Sequence, residues 1–467
     1  MKKEVYVVYN DNRKPDREIR NITGKKGFGE TIFKRLTLRE RMRQYYLTLP
    51  QVRDFVDLED KDKIKNDSET PVILIYSDFV IGSEAEVEIL VNKALYAHES
   101  YCALQKDKIA AVIFESVSSF ASSCEDEYAA YEKIPVNCFV DISEVNNFRQ
   151  FITSGLEARF FNSLSGDEYT LIKTSDKKEK LKAEYMMYDL LPENMKQWFV
   201  RPYDYRDQGD KASYCMQRFN MTDLAIRYIH GSIDIDEFED ILEKLFYFIK
   251  IRATKTVTKE EYEREAKKLY LDKLDDRIES LKQMEGYDRI AKLIEASTAY
   301  KDIDEIVCEY KKLYETIRAE KTFEPIKAAG HGDLCFSNIL YSREVSLLKL
   351  IDPKGATNEE ELYMDPFYDI AKLSHSICGN YDFYNSDLYE IGIDSDLKAR
   401  LTVYADNKAY VNIFKRRLEE NGYDLRLIRL YEASLFLSML PLHMDRPKKV
   451  YAFILNAVLI LDELKKD

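Results

Sequence analysis

Residues able to do chemistry gather most densely in His331-Gly-Asp-Leu-Cys-Phe-Ser-Asn338, followed by Asp352, fourteen residues after Asn338, in Leu350-Ile-Asp-Pro-Lys354. Transfer of a phosphoryl group from ATP needs a carboxylate that orients the attacking hydroxyl and oxygen ligands that hold Mg²⁺ on the phosphates. An Asp, an amide five residues later and a second Asp after an apolar strand meet that demand as a loop, strand, turn arrangement. Singly, His331, Asp333 and Asn338 would serve as turn caps, a common use of Asp and Asn. Their conjunction with Asp352 and with an upstream lysine on a small sheet points to chemistry instead.

Such a loop needs elements on both sides of it. From residue 222 to the end the pattern is helical, except for a loop-strand region at about 329–356. Thr258-Lys-Glu-Glu261 has the capping-box form and opens a long helix whose Glu and Lys residues make a solvated face. Upstream, Arg159-Phe-Phe-Asn162 and Tyr169-Thr-Leu-Ile-Lys173 flank the turn Ser163-Leu-Ser-Gly-Asp167 and predict a hairpin. A lysine-rich helix over 177–191 follows, closed by Pro192, and then 198–201 and 212–216 bracket a polar turn at 206–210. The expectation is a small antiparallel sheet carrying one helix, then a large helical lobe. Lys173, on an apolar strand, is placed to reach ATP phosphates as a point charge, and Glu184 in the next helix to hold it by an ion pair.

His331-x-Asp333 with Asn338 and Ile351-Asp352 resembles the catalytic core of the aminoglycoside phosphotransferase and choline kinase-like family, over roughly residues 156–467. Asp365-Pro-Phe-Tyr-Asp-Ile-Ala371 is similar to that family's acidic segment, and the stretch to Tyr384 to kinases encoded with bacterial capsule and surface-polysaccharide genes. The resemblance implies a bilobal, protein-kinase-like α+β fold with Asp333 as catalytic base or hydroxyl-orienting group and Asn338 and Asp352 as Mg²⁺ ligands. His331 would fix the loop, and Asp369 would support it from behind or cap a helix. Ser165 would lie in the turn that covers the phosphates, and backbone groups near Met216 to Phe219, where the lobes connect, would bind the adenine edge. The turn departs from the protein-kinase pattern, since it holds only Gly166 and no GxGxxG. Asp352 is followed by Pro353-Lys354 in place of Phe-Gly, with no Ala-Pro-Glu after it, so a small hydroxylated acceptor is expected. Lys354 would meet an anionic group of the acceptor, a phosphate, or solvent. Tyr381-Asp-Phe-Tyr384 with His375 nearby would line an acceptor pocket or be a chance cluster in a Tyr-rich chain.

Residues 1–150 alternate strand-like runs (5–9, 72–76, 109–114, 137–141) with helical ones (37–46, 85–98), which predicts a layered α/β unit with a mostly parallel sheet. With Ile75-Tyr-Ser-Asp78 at a strand end, this part looks like a shortened sugar-nucleotidyltransferase domain, in which such an Asp binds metal. The first strand lacks the usual glycine-rich loop after it, so a binding or assembly role is expected there. Gly24-Lys-Lys-Gly-Phe-Gly29, trailed by Lys34, Arg35, Arg39, Arg41 and Arg43, does not directly follow the first strand and reads as a surface turn.

The 467 residues, 45% hydrophobic and 33% charged, describe a folded chain of more than one domain. A net charge of −14 argues against nucleic acid and anionic membrane as partners. Seven cysteines, an odd number without a CxxC pair, predict reduced thiols and neither disulfides nor structural zinc. His98, His230 and His443 have no spacing that suggests metal or nucleophilic chemistry. The apolar run Val5-Tyr-Val-Val-Tyr9 is too short for a signal-peptide core, and 451–461, interrupted by Asn456, is too short to span a bilayer. The expectation is a cytoplasmic protein divided at 1–150, 151–221 and 222–467, using ATP and Mg²⁺ to phosphorylate a hydroxyl of a sugar, polyol or related surface-polysaccharide precursor. Two rivals stand beside it: a bifunctional nucleotidyltransferase-kinase that depends on Asp78, and a nucleotide-binding scaffold without turnover.

Overall fold

The computed structural model describes residues 4–64, 69–153, 162–167 and 169–466. The chain divides into two compact units, Met1–Leu156 with His230–Ser232, and Glu157–Ile229 with Ile233–Asp467.

In the first unit, Val5–Asn10 and Val72–Tyr76 are buried at every position, as continuous apolar strands covered on both faces must be. They sit inside a six-stranded sheet whose order is Val52–Asp57, Val5–Asn10, Val72–Tyr76, Lys108–Phe114, Tyr101–Gln105, Glu132–Val136. The sheet is more mixed than the sequence pattern predicts, because Lys108–Phe114 runs antiparallel to both neighbours. One of the two antiparallel ladders has a local cause: Lys106, at φ 56, turns the chain back in a tight hairpin between Tyr101–Gln105 and Lys108–Phe114. Phe139–Asp141 leaves this sheet and pairs with Phe79–Ile81. The helix Leu38–Thr48 starts where the Thr37 hydroxyl accepts from the Glu40 N–H, and Glu84–Ala94 starts in the same way at Ser83.

In the second unit a four-stranded antiparallel sheet has the order Asn162–Gly166, Thr170–Ser175, Ala212–Gln217, Pro202–Asp207. The predicted 163–167 turn is displaced. Ser163 to Gly166 are strand, paired with Leu171 to Thr174, and the turn is closed by Asp167, whose carboxylate accepts from the Thr170 N–H at 2.8 Å. Arg159 to Phe161, read as the start of that hairpin, lie outside the described residues. The second pair is displaced too, because 198–201 pairs elsewhere. The Val200 N–H donates to the Leu350 carbonyl at 3.1 Å and the Leu350 N–H to the Trp198 carbonyl at 2.7 Å. This stretch is tied to the strand that leads into Asp352.

The helix Lys178–Leu190 packs its Leu181, Glu184 and Met187 inward. The helical body then includes Ile235–Ile251, Ile303–Ala319, Tyr368–Ile377, Leu425–Ser438 and Pro447–Lys466. Thr258 caps Lys259–Lys267 through the Glu261 N–H at 3.1 Å. Leu425–Ser438 is buried on all sides from Leu427 onward, as a helix at the centre of a large core must be. The apolar C-terminal stretch is likewise a buried helix, and no helix among the described residues is long and apolar enough to cross a membrane. The seven cysteines are unbridged.

Candidate active site

The antiparallel hairpin of Ile339–Ser342 and Leu347–Leu350 sets the site's geometry. Its first rung pairs Ile339 with Leu350, so Asn338 and Ile351 meet at its open end, where the Ile351 N–H donates to the Asn338 carbonyl at 3.0 Å. Thirteen residues of separation in the chain thereby become adjacency, and Asp352 is the next residue along. The Asn338 side-chain amide donates to the Asp333 carbonyl at 2.8 Å and to its carboxylate at 3.2 Å, through Nδ2 in both cases. His331 is buried and joins the two halves. Its Nε2–H donates to the Ile351 carbonyl at 2.8 Å, and Nδ1 accepts from the Asp333 N–H at 3.2 Å, which fixes the tautomer. Phe199 stacks on the imidazole, with centroids 5.7 Å apart.

Asp369 holds the loop from below. Its carboxylate accepts from the His331 N–H at 2.9 Å and the Gly332 N–H at 2.8 Å, and Arg252 Nη1 stands 3.2 Å away. It lies inside the first turn of Tyr368–Ile377 and does not cap that helix. Gly332 has φ +79, and a Cβ there would come within 2.6 Å of the Lys354 Cβ, so the position requires glycine.

Lys173 and Glu184 meet. Lys173 Nζ lies 2.6 Å from Glu184 Oε2 and 3.0 Å from Asp352 Oδ1, with Lys173 and Glu184 both buried and Asp352 open to solvent. Burial works against the Lys173 ammonium, but Asp352, Tyr214 and Glu184 overcome it and hold the charge more firmly than on a free lysine. Burial pushes the Glu184 carboxyl up. Asp352 itself adopts φ 54, a left-handed conformation that Asp tolerates better than most residues, at about 1–3 kcal/mol. The following turn is seated on the Glu184 helix. Gly355, at φ +91, approaches the Glu184 backbone so closely that a Cβ would lie 2.7 Å from its nitrogen, and the Ala356 N–H donates to the Ala183 carbonyl at 3.0 Å.

The remaining nucleotide-side candidates fall as follows. Ser165 is an exposed residue of the edge strand and not of a turn. Met216 is buried in the strand Ala212–Gln217, packed with Leu181, Ala212 and Tyr214. It also lines a cavity with Glu184, Met187, Phe199, Leu350 and Asp352. Phe219 is half-buried past the strand end, with the Lys349 ammonium 5.7 Å from its ring centroid. The Arg218 N–H is already committed to the Tyr169 carbonyl at 2.8 Å.

Sequence reasoning missed Lys372. Its Nζ lies 2.9 Å from Asp333 Oδ1, and its side chain is largely buried. Burial opposes its charge and Asp333 overcomes that opposition, so the ammonium is held well above the ordinary lysine range in pKa. The signal was present in principle: Lys372 stands three residues after Asp369, on the face of one helix that already braces the loop. Lys354 is exposed, with its N–H on the His331 carbonyl at 2.9 Å. Tyr381 stacks on His375 with centroids 4.3 Å apart.

The donor set suits a hard cation shared with phosphates. Asn338 Oδ1 and Asp352 Oδ2 are oxygens on adjacent ends of one hairpin, and Mg²⁺ takes few protein ligands when phosphate oxygens complete its shell. No family model and no curated protein matches the chain. Among solved structures it is similar to a thermostable variant of aminoglycoside phosphotransferase APH(4)-Ia in complex with ADP and hygromycin B. That match has 12% identity and a TM-score of 0.40, and covers 64% of this chain and 92% of the other. The GDP complex of aminoglycoside 2'-phosphotransferase-IIIa matches at 14% identity and a TM-score of 0.39, covering 67% of this chain and 91% of the other. APH(3'')-Id from Streptomyces rimosus, with ADP and streptomycin, matches at 13% identity and a TM-score of 0.35, covering 60% and 88%.

In the first unit, Asp78 is buried at the end of Val72–Tyr76, and its carboxylate is occupied: Arg13 Nη1 lies 3.1 Å from both oxygens. Arg13 also lies over the Tyr76 ring at 3.5 Å and donates to the Ile109 carbonyl at 3.0 Å. Gly24 ends the helix Arg17–Thr23 at φ 69, and the Gly29 N–H donates to Asp11 at 3.1 Å.

Proposed function

We propose that the second unit is an ATP- and Mg²⁺-dependent phosphotransferase of kinase-like fold that acts on a hydroxyl of a small molecule, a sugar or polyol among the candidates. One observation carries the reading. The Lys173–Glu184 pair reaches Asp352, and the same hairpin end sets Asp352 beside Asn338, which is bonded to Asp333. A phosphate-binding cation, two oxygen ligands and a solvent-facing carboxylate are thus linked by direct contacts. A collection of turn caps would not need this linkage.

In the proposed reaction the acceptor oxygen forms a bond to the γ-phosphorus while the bond from that phosphorus to the β–γ bridging oxygen breaks, in line, and ADP leaves with the electron pair. Asp333 orients the hydroxyl and takes its proton, which then passes to solvent. Asn338 holds the Asp333 carboxylate in place, and His331 and Asp369 fix the loop backbone beneath it. Lys173 meets the phosphates, steadied by Glu184. Mg²⁺, held by Asn338 Oδ1 and Asp352, would offset charge on the phosphates.

The test is transfer from labelled ATP with Mg²⁺ to a panel of sugars, polyols, glycerate, choline and aminoglycosides, with Asp333→Ala as the blank. Transfer to one acceptor that the blank lacks establishes the activity. Nucleotide binding with no transfer to any acceptor, and no Asp333-dependent hydrolysis, would move the chain to the scaffold reading.

A further inference from the structure

Lys372 opens a strip of polar groups that leads away from Asp333. One helical turn on, His375 lies fully buried at 0% exposure, and neither ring nitrogen has a hydrogen-bond partner among the described residues. Tyr381, half-buried, covers that imidazole. Tyr381 shares a side-chain hydrogen bond with Asn385, and Asn385 Oδ1 accepts from Lys449, a buried ammonium in the first turn of Pro447–Lys466. Four elements therefore converge: the catalytic loop, Tyr368–Ile377, Tyr381–Asn385 and Pro447–Lys466.

We propose that the acceptor carries a negatively charged group of its own, a phosphate or a carboxylate, which the strip from Lys372 to Lys449 receives while the acceptor hydroxyl meets Asp333.

The inference rests on the phosphotransferase reading and names its substrate class. Two ammonium groups have been taken largely out of water on the acceptor side of the loop, in a chain whose net charge is −14. An anionic group gains more from that arrangement than a neutral or cationic one does. An oxyanion gains charge-assisted hydrogen bonds and gives an orphaned buried imidazole a partner. The groups that act on His375 are Lys372, His443 and Lys449 on the positive side and Asp333 on the negative, so with burial they hold the ring neutral. A neutral imidazole offers one donor N–H and one acceptor, suited to an anionic oxygen and a neighbouring hydroxyl.

The experiment uses the full chain saturated with AMP-PNP and Mg²⁺, so that added anion cannot enter the nucleotide phosphate site. With ¹³Cε1-labelled histidine, the five histidines give separate signals, and His375→Gln assigns one of them. Inorganic phosphate in one arm and acetate in the other are the probes. The His375 signal should shift saturably with at least one of them, and the stronger arm names the group. Lys449→Met and, separately, Lys372→Gln should each weaken that binding by about tenfold or more, the loss of one charge-assisted contact. Absence of a saturable shift with either anion overturns the proposal, and so does unaltered affinity in both variants. Saturable binding in a protein without Asp333-dependent transfer would sink the phosphotransferase reading and leave the anion site standing, so the two failures are told apart.

Discussion

Lys173 and Lys372 each reach one of the two aspartates of the site, and their settings differ. Lys173 stands between two carboxylates, Glu184 and Asp352, with the Tyr214 phenol beside it. Lys372 meets the carboxylate of Asp333, and the buried Lys449 ammonium acts with it on His375. Around Lys173 the charges are two carboxylates and two ammonium groups, since Lys180 also reaches Glu184 at 3.6 Å, and Asp352 is the carboxylate left open to solvent for the proposed divalent cation. Around Lys372 a largely buried ammonium meets a carboxylate that is itself open to solvent. The two lysines thus differ in what surrounds them, and the way to test the difference is to remove one charge at a time.

The largest effect is expected from Asp333→Ala. Turnover should fall by about 10²–10⁴-fold, the usual contribution of a positioned base. ATP affinity, read by calorimetric titration with Mg²⁺, should stay within about threefold, because the role proposed for Asp333 is toward the acceptor hydroxyl. If affinity for ATP collapsed as well, the two settings would not be separable.

Lys173→Met should show the reverse pattern. Loss of one charged contact to phosphate predicts a fall of about tenfold to a hundredfold in kcat/KM for ATP, with the KM for the acceptor unchanged. The variant should also be less stable, yet by less than the roughly 3–5 kcal/mol of a stranded buried charge. The Glu184 carboxyl, already pushed up by burial, can take a proton when Lys173 is gone, and it keeps Lys180 at 3.6 Å and the Tyr214 hydroxyl at 3.4 Å. Denaturant melts at pH 5 and pH 8 check this: the deficit should be smaller at pH 5, where protonation is easier.

Much of this site was legible in the sequence because it is local. His331 to Asn338 is one loop, and the Lys173 strand and Glu184 helix are consecutive elements, so residue types and spacing were enough to nominate them. The displaced hairpins show where locality ends. Trp198 to Val200 has the composition of a strand, but its partner is Leu350, about 150 residues away, and nothing in the local pattern names that partner. Ser165 failed in the same way, since a run of small polar residues reads as a turn whether or not a neighbouring strand claims it. Lys372 was missed because its partner Asp333 lies on another element, whereas Asp369 on the same helix was found through the loop motif.

A weaker effect should come from two carboxylates buried in the second unit. Burial pushes Asp223 and Asp382 each up to about 7, and the Asp382 charge adds to the rise at Asp223. A folded-state pKa above the unfolded value near 3.8 means that the folded protein keeps a proton the unfolded chain has lost. The stability from these groups is therefore full below about pH 4 and is lost as the pH rises towards 7. Asp382→Asn removes one of the two titrations, so the variant should lose less stability than the parent across that window. Its advantage at pH 8 should be at most a few kcal/mol, since each tenfold change in proton affinity is worth about 1.4 kcal/mol, and should vanish by pH 4. Thermal melts from pH 4 to 8 read it, and parallel curves for the two proteins would mean that Asp382 keeps no extra proton in the folded state.

The smallest effect is expected at a cation–carboxylate pair of the first unit, Arg13 with Asp78. Here cation and carboxylate balance one to one, and Arg13 is further fixed by the Tyr76 ring and the Ile109 carbonyl. Burial raises the Asp78 carboxyl while Arg13 opposes that, which is the signature of a pair compensated within the fold. Asp333 and Asp352, the partners of Lys372 and Lys173, are open to solvent, whereas Asp78 is buried against Arg13. Asp78→Asn should therefore leave phosphoryl transfer within about twofold of the parent and cost about 1–3 kcal/mol of stability, the penalty for a weakened buried hydrogen bond. The same variant decides the bifunctional alternative. If the parent protein releases pyrophosphate from a nucleoside triphosphate and a sugar phosphate, and Asp78→Asn abolishes that release, then Arg13 is a displaceable guard on a second catalytic centre. Without pyrophosphate in either protein, the pair holds the sheet together and the chemistry belongs to the second unit.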